Sequence, residues 1–272
     1  MGREYHLHLV SDATGETLNT VAKAVCAQFE GTTAREHIYS LVRSERQLRR
    51  AVDHISANPG VVLFTLVNPA LRQMLESECG RLNVPCVSIL DRAVEILGKF
   101  LGAEESHRPG GQHEMDSRYL DRVEALNFTM QHDDGQNIQD LDAADVVLVG
   151  VSRSSKTPTC IYLAIRGIRA ANVPVVPGVE PPAQLFALRN PLVVGLYLTP
   201  ERLLQIRRNR LTTMGETKSS DYVDEEAIRS EIAFTRRLFE REEWPAIDVS
   251  RRSIEETAAA ILNLVAEREN GT

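Results

Sequence analysis

The chain of 272 residues is poor in cysteine, aromatic residues and positive charge. Its four cysteines, Cys26, Cys79, Cys86 and Cys160, form no CxxC pair and have no histidine at ligand spacing. That argues against a disulfide frame or a zinc site and leaves the thiols as small apolar groups in a reducing, cytoplasmic compartment. No apolar run approaches the ~20 residues of a membrane span. Residues 1–6 lack the apolar centre of a signal peptide, and His6 stands where a myristoylation signal needs Ser or Thr. Lys and Arg number 31 against 38 Asp and Glu, a net charge of −7, which excludes a general nucleic-acid surface but not a local basic site for phosphate. No low-complexity tract and no internal repeat is evident. What remains is 43% hydrophobic and 25% charged, ordinary for a globular chain holding one large or two medium domains.

Strand-like and helix-like segments alternate, which implies α/β architecture with parallel sheets. Strands are expected at 5–10, 61–67 and 84–90. They make residues 1–101 an N-terminal, Rossmann-like parallel-sheet region. Residues 102–113 are polar and glycine-rich. Together with a helix over 116–130 and the segment His132-Asp133-Asp134-Gly135 they form a linker, 102–142. Residues 143–272 then read as a P-loop kinase-like α/β domain. Its strands fall near 146–150, 173–176, 192–198 and 245–249, and its helices at 200–211, 224–240 and 253–267.

The most informative run is Val146-Val147-Leu148-Val149-Gly150 followed by Val151-Ser152-Arg153-Ser154-Ser155 and then Lys156-Thr157. A buried strand, a glycine-started loop of small residues, and Lys-Thr opening a helix form the layout of a phosphate-binding P-loop. Loop N–H groups and the helix dipole converge on phosphate oxygens, Lys156 adds a full charge, and the Thr157 hydroxyl can hold Mg²⁺. Residues 150–157 are therefore the expected phosphate cradle. Ser155 replaces the second glycine of the usual pattern.

Three other segments carry candidate chemistry, each with a plainer alternative. Asp133 and Asp134 offer a metal contact and a general base, or a solvated turn. Arg207, Arg208 and Arg210 offer bidentate phosphate donors, or an exposed basic helix face. Ser11-Asp12-Ala13-Thr14-Gly15-Glu16-Thr17 offers a second anion nest, or helix capping by Asp12 or Thr14.

Taken in order, Val10 to Thr17, His132 to Gly135, Gly150 to Thr159, Ala171 to Pro174, Ile206 to Arg210, Trp244 to Val249 and Ile254 to Ala258 resemble one family nearly end to end. It is the bifunctional kinase/pyrophosphorylase family that regulates pyruvate, phosphate dikinase in some organisms and phosphoenolpyruvate synthase in others. The resemblance implies an ADP-dependent kinase that phosphorylates a threonine of its target. It also implies a phosphate-dependent reversal that yields pyrophosphate. The implied substrates are ADP and inorganic phosphate, with Mg²⁺ as cofactor and the dikinase as protein partner. The dikinase branch is favoured by Ser-Asp-Ala-Thr-Gly-Glu-Thr and Trp-Pro-Ala-Ile-Asp-Val. On this view Lys156, Arg207 and Arg210 neutralise phosphate charge, Asp134 is the base, and Asp133 with Thr157 holds the metal. Rivals are the same chemistry on the synthase, an ATP-dependent small-molecule kinase, and a nucleotide-sensing module without catalysis. A homodimer is compatible with all of them.

Overall fold

The computed structural model describes residues 3–111, 117–176, 178–214 and 221–270, so residues 112–116 of the expected linker lie outside the described residues. The chain divides into two units, Met1–Glu114 and Met115–Thr272. Both are mixed α/β.

The first unit runs β1 (Arg3–Ser11), α1 (Glu16–Cys26), β2 (Thr32–Tyr39), α2 (Glu45–Ala57), β3 (Gly60–Thr65), α3 (Pro69–Leu82), β4 (Cys86–Ser88) and α4 (Asp91–Leu101). Its sheet has the order β2-β1-β3-β4, and every pairing is parallel. The strand β2 lies beyond the sequence expectation because it is a polar edge strand with no fully buried residue. Capping sets the helix starts: Ser44 accepts from the Gln47 amide, and Asn68 accepts from those of Ala70 and Leu71.

The second unit opens with α5 (Ser117–Gln131) and two 3-10 turns, Asp133–Gly135 and Ile138–Ala143. It continues β5 (Val146–Gly150), α6 (Lys156–Ala164), β6 (Ala170–Pro174), α7 (Ala183–Phe186), β7 (Leu192–Tyr197) and α8 (Pro200–Met214). A 3-10 turn at Asp221–Val223, α9 (Glu225–Arg241), β8 (Ala246–Asp248) and α10 (Ile254–Asn270) complete it. All five residues of β5 are buried, as a central parallel strand covered on both faces requires.

Its sheet order is β6-β5-β7-β8, again parallel. Both sheets thus place their strands in the order second, first, third, fourth. The likeness is one of topology, beside a sequence with no evident internal repeat. The loops after the first strands also correspond. Each ends in a left-handed residue, Gly15 (φ 83°) or Ser155 (φ 61°), before a helix that opens Glu16-Thr17 or Lys156-Thr157.

Parallel register in the first unit stacks side chains that sequence keeps apart. His8 lies opposite His37 in the β1–β2 pairing, and the two rings are 4.7 Å apart. His6 Nδ1 and His37 Nε2 are 2.8 Å apart, and His54 from α2 stands 4.9 Å from the His37 ring. Tyr39 joins His8 at 3.1 Å and His54 at 2.6 Å, while His8 Nε2 donates to the Asn58 carbonyl at 2.8 Å. Burial lowers the pKa of both His8 and His37. The neighbouring imidazoles, and Arg35 for His37, push the same way. The neutral rings therefore belong to the fold, and the unfolded chain takes up protons first. Stability contributed by these rings is present above the unfolded value of about 6.5 and is lost as pH falls through it toward the lowered folded values. The urea midpoint should accordingly drop between about pH 7 and pH 5, and drop less in His37→Gln. An equal drop in both proteins would remove the cluster from the acid response.

Candidate functional site

At the end of β5 the chain must turn hard against its neighbour strand. A Cβ on Gly150 would stand 2.3 Å from the Leu196 carbonyl oxygen and 2.9 Å from Ser154 Oγ. The glycine is therefore required by strand β7 and by the loop itself. Beyond it, Val151 and Ser154 are buried, whereas Ser152 and Arg153 are exposed. The loop curls through two left-handed residues, Arg153 (φ 76°) and Ser155 (φ 61°). The Val151 carbonyl is its inner anchor: it accepts from Ser154 Oγ at 2.9 Å and from Lys156 Nζ at 2.9 Å. No side chain caps α6, so the first-turn N–H groups of that helix are left to solvent or ligand.

Lys156 is 6% exposed. Burial drives its pKa down to about 8, against the pull of Asp134, Cys160, Asp133 and Glu231. No carboxylate lies within ion-pair distance of its ammonium group among the described residues. A desolvated cation at an uncapped helix start is a receptor for an anion.

The 3-10 turn at Asp133–Gly135 meets this loop from the other side. Thr157 Oγ1 donates to Asp133 Oδ1 at 2.8 Å, and Asn172 Nδ2 donates to the same oxygen. Asn172, buried on β6, also accepts from the Asp134 amide at 3.2 Å. It thereby holds Asp134 in the left-handed region at φ 52°. Asp133 is half-buried and engaged, whereas Asp134 is exposed. Gly135 is pinned by Pro174, whose Cδ would lie 3.3 Å from an added Cβ. His132 precedes them, stacked on Phe128 at 3.8 Å. The solvated-turn alternative does not describe Asp133, which is bonded to Thr157 at the start of α6.

Two adjacent hard oxygens, the Thr157 hydroxyl and the Asp133 carboxylate, suit Mg²⁺. Among the described residues no group of three or more His, Cys, Asp or Glu gathers for a metal. A cation here would complete its shell with phosphate oxygens and water, as Mg²⁺ commonly does.

The arginines separate. Arg207 is 4% exposed and makes a bidentate ion pair with Glu231 at 2.8 and 2.9 Å. It also donates to the Ser152 carbonyl at 3.4 Å. Its charge is matched by a buried carboxylate, so the geometry makes it a support for the loop rather than a free phosphate clamp. Arg208 and Arg210 are exposed on α8, and no hydrogen bond or ion pair ties Arg210 to the loop among the described residues. Glu231 and Tyr222 complete the site without a sequence signal of their own, and Asn172, which lies in the Ala171–Pro174 stretch of the family likeness, gains a role only through its contacts with Asp133 and Asp134.

The loop of the first unit is also not a cap. The helix α1 has no side-chain cap. Asp12 Oδ2 instead accepts the Val67 amide at 2.7 Å, and Ser11 Oγ accepts the Ala13 amide at 3.2 Å. Residues 11–18 line a cavity of about 200 Å³ at the carboxyl ends of β1 and β3, and the exposed carboxylate of Glu16 stands at its corresponding lysine position.

Two measurements test this geometry. Gly150→Ala should lower unfolding free energy by about 1–3 kcal/mol, because the new methyl meets backbone. Ser155→Gly should match or exceed the parent by up to about 1 kcal/mol, since relief of the left-handed strain outweighs the added chain entropy. Urea denaturation decides both, and a stable Gly150→Ala would refute the close approach. Separately, if the loop takes an anion, its affinity for ADP used as a probe should fall about tenfold from pH 7 to pH 9, as Lys156 loses its proton around pH 8. The same lysine, charged in the unfolded chain up to about 10.5, makes the ligand-free fold gain stability as pH rises from about 8 toward that value. ADP affinity unchanged across that range would mean that Lys156 does not meet the anion.

Comparison with known proteins agrees in direction. Residues 7–262 match the family model described as kinase/pyrophosphorylase. A protein of Caulobacter vibrioides named as a pyruvate, phosphate dikinase regulatory protein is 58% identical over 261 residues, covering 96% of this chain and 83% of its own. Proteins of the same name from Bradyrhizobium diazoefficiens and Maricaulis maris are 55% and 53% identical. They cover 97% and 98% of this chain, and 95% and 96% of their own. With the match running through both units and across residues 150–157, the chain belongs to the kinase/pyrophosphorylase family.

Proposed function

We propose that this protein regulates pyruvate, phosphate dikinase by two opposed phosphoryl transfers at one site. In the first, a threonine hydroxyl of the dikinase attacks the β-phosphorus of ADP, the bond to the bridging oxygen breaks, and AMP leaves. In the second, inorganic phosphate attacks the phosphothreonine, and pyrophosphate forms as the threonine oxygen leaves. The relatives' names support the target, and the family's pairing of kinase with pyrophosphorylase supports the two directions. The observation that carries the reading is the buried Lys156 ammonium at the uncapped start of α6, beside the Thr157–Asp133 pair.

The residues divide the work as follows. Loop amides and Lys156 bind the transferring phosphoryl group and stabilise its charge. Thr157 and Asp133 would hold Mg²⁺, which when bound neutralises phosphate oxygens. Asn172 fixes Asp133 against Thr157 and sets the backbone of Asp134. The exposed carboxylate of Asp134 takes the proton of the attacking threonine. In the return reaction it gives a proton to the departing threonine oxygen, although hydrogenphosphate brings a proton of its own. Arg207 braces the loop from beneath through Ser152.

The test is to incubate the protein with purified dikinase and β-labelled ADP, then to add unlabelled phosphate and follow labelled pyrophosphate. Lys156→Ala should lose roughly 10²–10³ in both rates. Asp134→Asn should depress the kinase direction more than the return, and Asp133→Asn both alike. Label arriving only from γ-labelled ATP would make this a conventional kinase. Label on phosphoenolpyruvate synthase but not on the dikinase would move the target. ADP binding with no transfer at all would leave a sensing module.

A further inference from the structure

The proposed phosphate loop carries a second cation that the scheme above does not use. Arg153 occupies the exposed crest of the loop at φ 76°, a backbone state that arginine rarely adopts unless its surroundings hold it there. Its Nε lies 3.2 Å from the Tyr222 hydroxyl. Among the described residues its two terminal nitrogens have no hydrogen-bond partner and no ion pair, so the forked edge that binds phosphate is uncommitted.

Tyr222 is itself fixed from behind. The Arg207 guanidinium lies 4.6 Å over its ring, and Arg207 Nη1 reaches its backbone carbonyl at 3.4 Å. The same guanidinium is locked by Glu231 and holds the Ser152 carbonyl, one residue before Arg153. A single buried ion pair thus anchors both the loop backbone beside Arg153 and the aromatic residue that grips its side chain. The contact chain runs Glu231, Arg207, Tyr222, Arg153, and only its last member is exposed.

We infer that Arg153 is a phosphate-binding residue, its fork directed at the terminal phosphate of a nucleoside diphosphate or at free phosphate, and that Tyr222 is the positioning residue that presets it. The inference rests on the proposed phosphate loop. Tyr222 acts through Arg153 alone: its hydroxyl fixes Nε and leaves both Nη groups for two parallel hydrogen bonds to phosphate oxygens. Preset geometry spares the ordering cost that a free surface arginine would meet on binding.

A double-mutant cycle on the full chain, read by calorimetric titration of ADP and, separately, inorganic phosphate, tests it. Tyr222→Phe keeps the ring over Arg207 and removes only the hydroxyl. It should melt with the parent and bind both ligands roughly 3- to 10-fold more weakly, the worth of one hydrogen bond. Arg153→Ala should weaken both ligands roughly tenfold or more, and Arg153→Lys nearly as much, because an ammonium has no fork. The double variant Tyr222→Phe with Arg153→Ala should be no weaker than Arg153→Ala alone. Parent-like binding by Tyr222→Phe, full retention by Arg153→Lys, or losses that multiply in the double variant would each overturn the inference. So would an affinity loss in Tyr222→Phe that travels with a lowered melting temperature, since that is a structural role. Lys156→Ala separates the underlying reading: if it binds ADP like the parent, the phosphate loop is wrong and this inference falls with it. A Lys156→Ala that fails to bind beside a multiplicative cycle condemns the Tyr222–Arg153 link alone.

Discussion

A lysine ammonium withheld from water organises the second unit. Lys156 follows a strand buried along its whole length and opens a helix immediately after a left-handed turn, and its side chain is folded inward onto the Val151 carbonyl. Among the described residues its hydrogen-bond partner is a backbone carbonyl, which solvates a cation only in part. Two carboxylates and the buried Glu231 raise its charge affinity from a distance without quenching it. The result is a cation stable enough to fold around and desolvated enough to want an anion. The surrounding residues then read as consequences: glycine at 150 to permit the turn, Ser154 to hold the inner carbonyl, Asn172 and Thr157 to fix a carboxylate nearby.

The adjacent aspartates show how environment separates identical groups. Asp133 is drawn in by a threonine and an asparagine, which suits a fixed ligand. Asp134, one residue on, is turned outward by a left-handed backbone and stays exposed. The difference lies in one backbone dihedral pair held by Asn172, not in the side chains themselves. Arg207 follows the same logic in reverse. A guanidinium that sequence offers to phosphate is claimed by Glu231, and its effect on the site becomes mechanical.

The two units reuse one topology for different chemistry. The strand order and the left-handed end of the first loop recur, yet the residue opening the helix is Glu16 in one and Lys156 in the other. A parallel sheet of this order directs the loop after its first strand to the switch point whatever the side chains are. Side chains at that point are free to differ, and here they do.

The sequence by itself determined the α/β class, the central buried strands and the strand–loop–helix unit around Gly150 and Lys156, because each is a local pattern: apolar runs, a glycine, Lys-Thr at a helix start. It also carried the family likeness and the aspartate pair. The polar edge strand β2 escaped because an edge strand buries too little to show periodic apolarity. Tertiary structure alone decided which arginine is free and which is paired, since that depends on Glu231, 24 residues away. It alone brought Asn172 to Asp133, Tyr222 to Arg153 and four histidines onto one face. These are contacts across parallel strands and between a loop and a distant turn. Their partners are set by register and crossover, which no local spacing encodes.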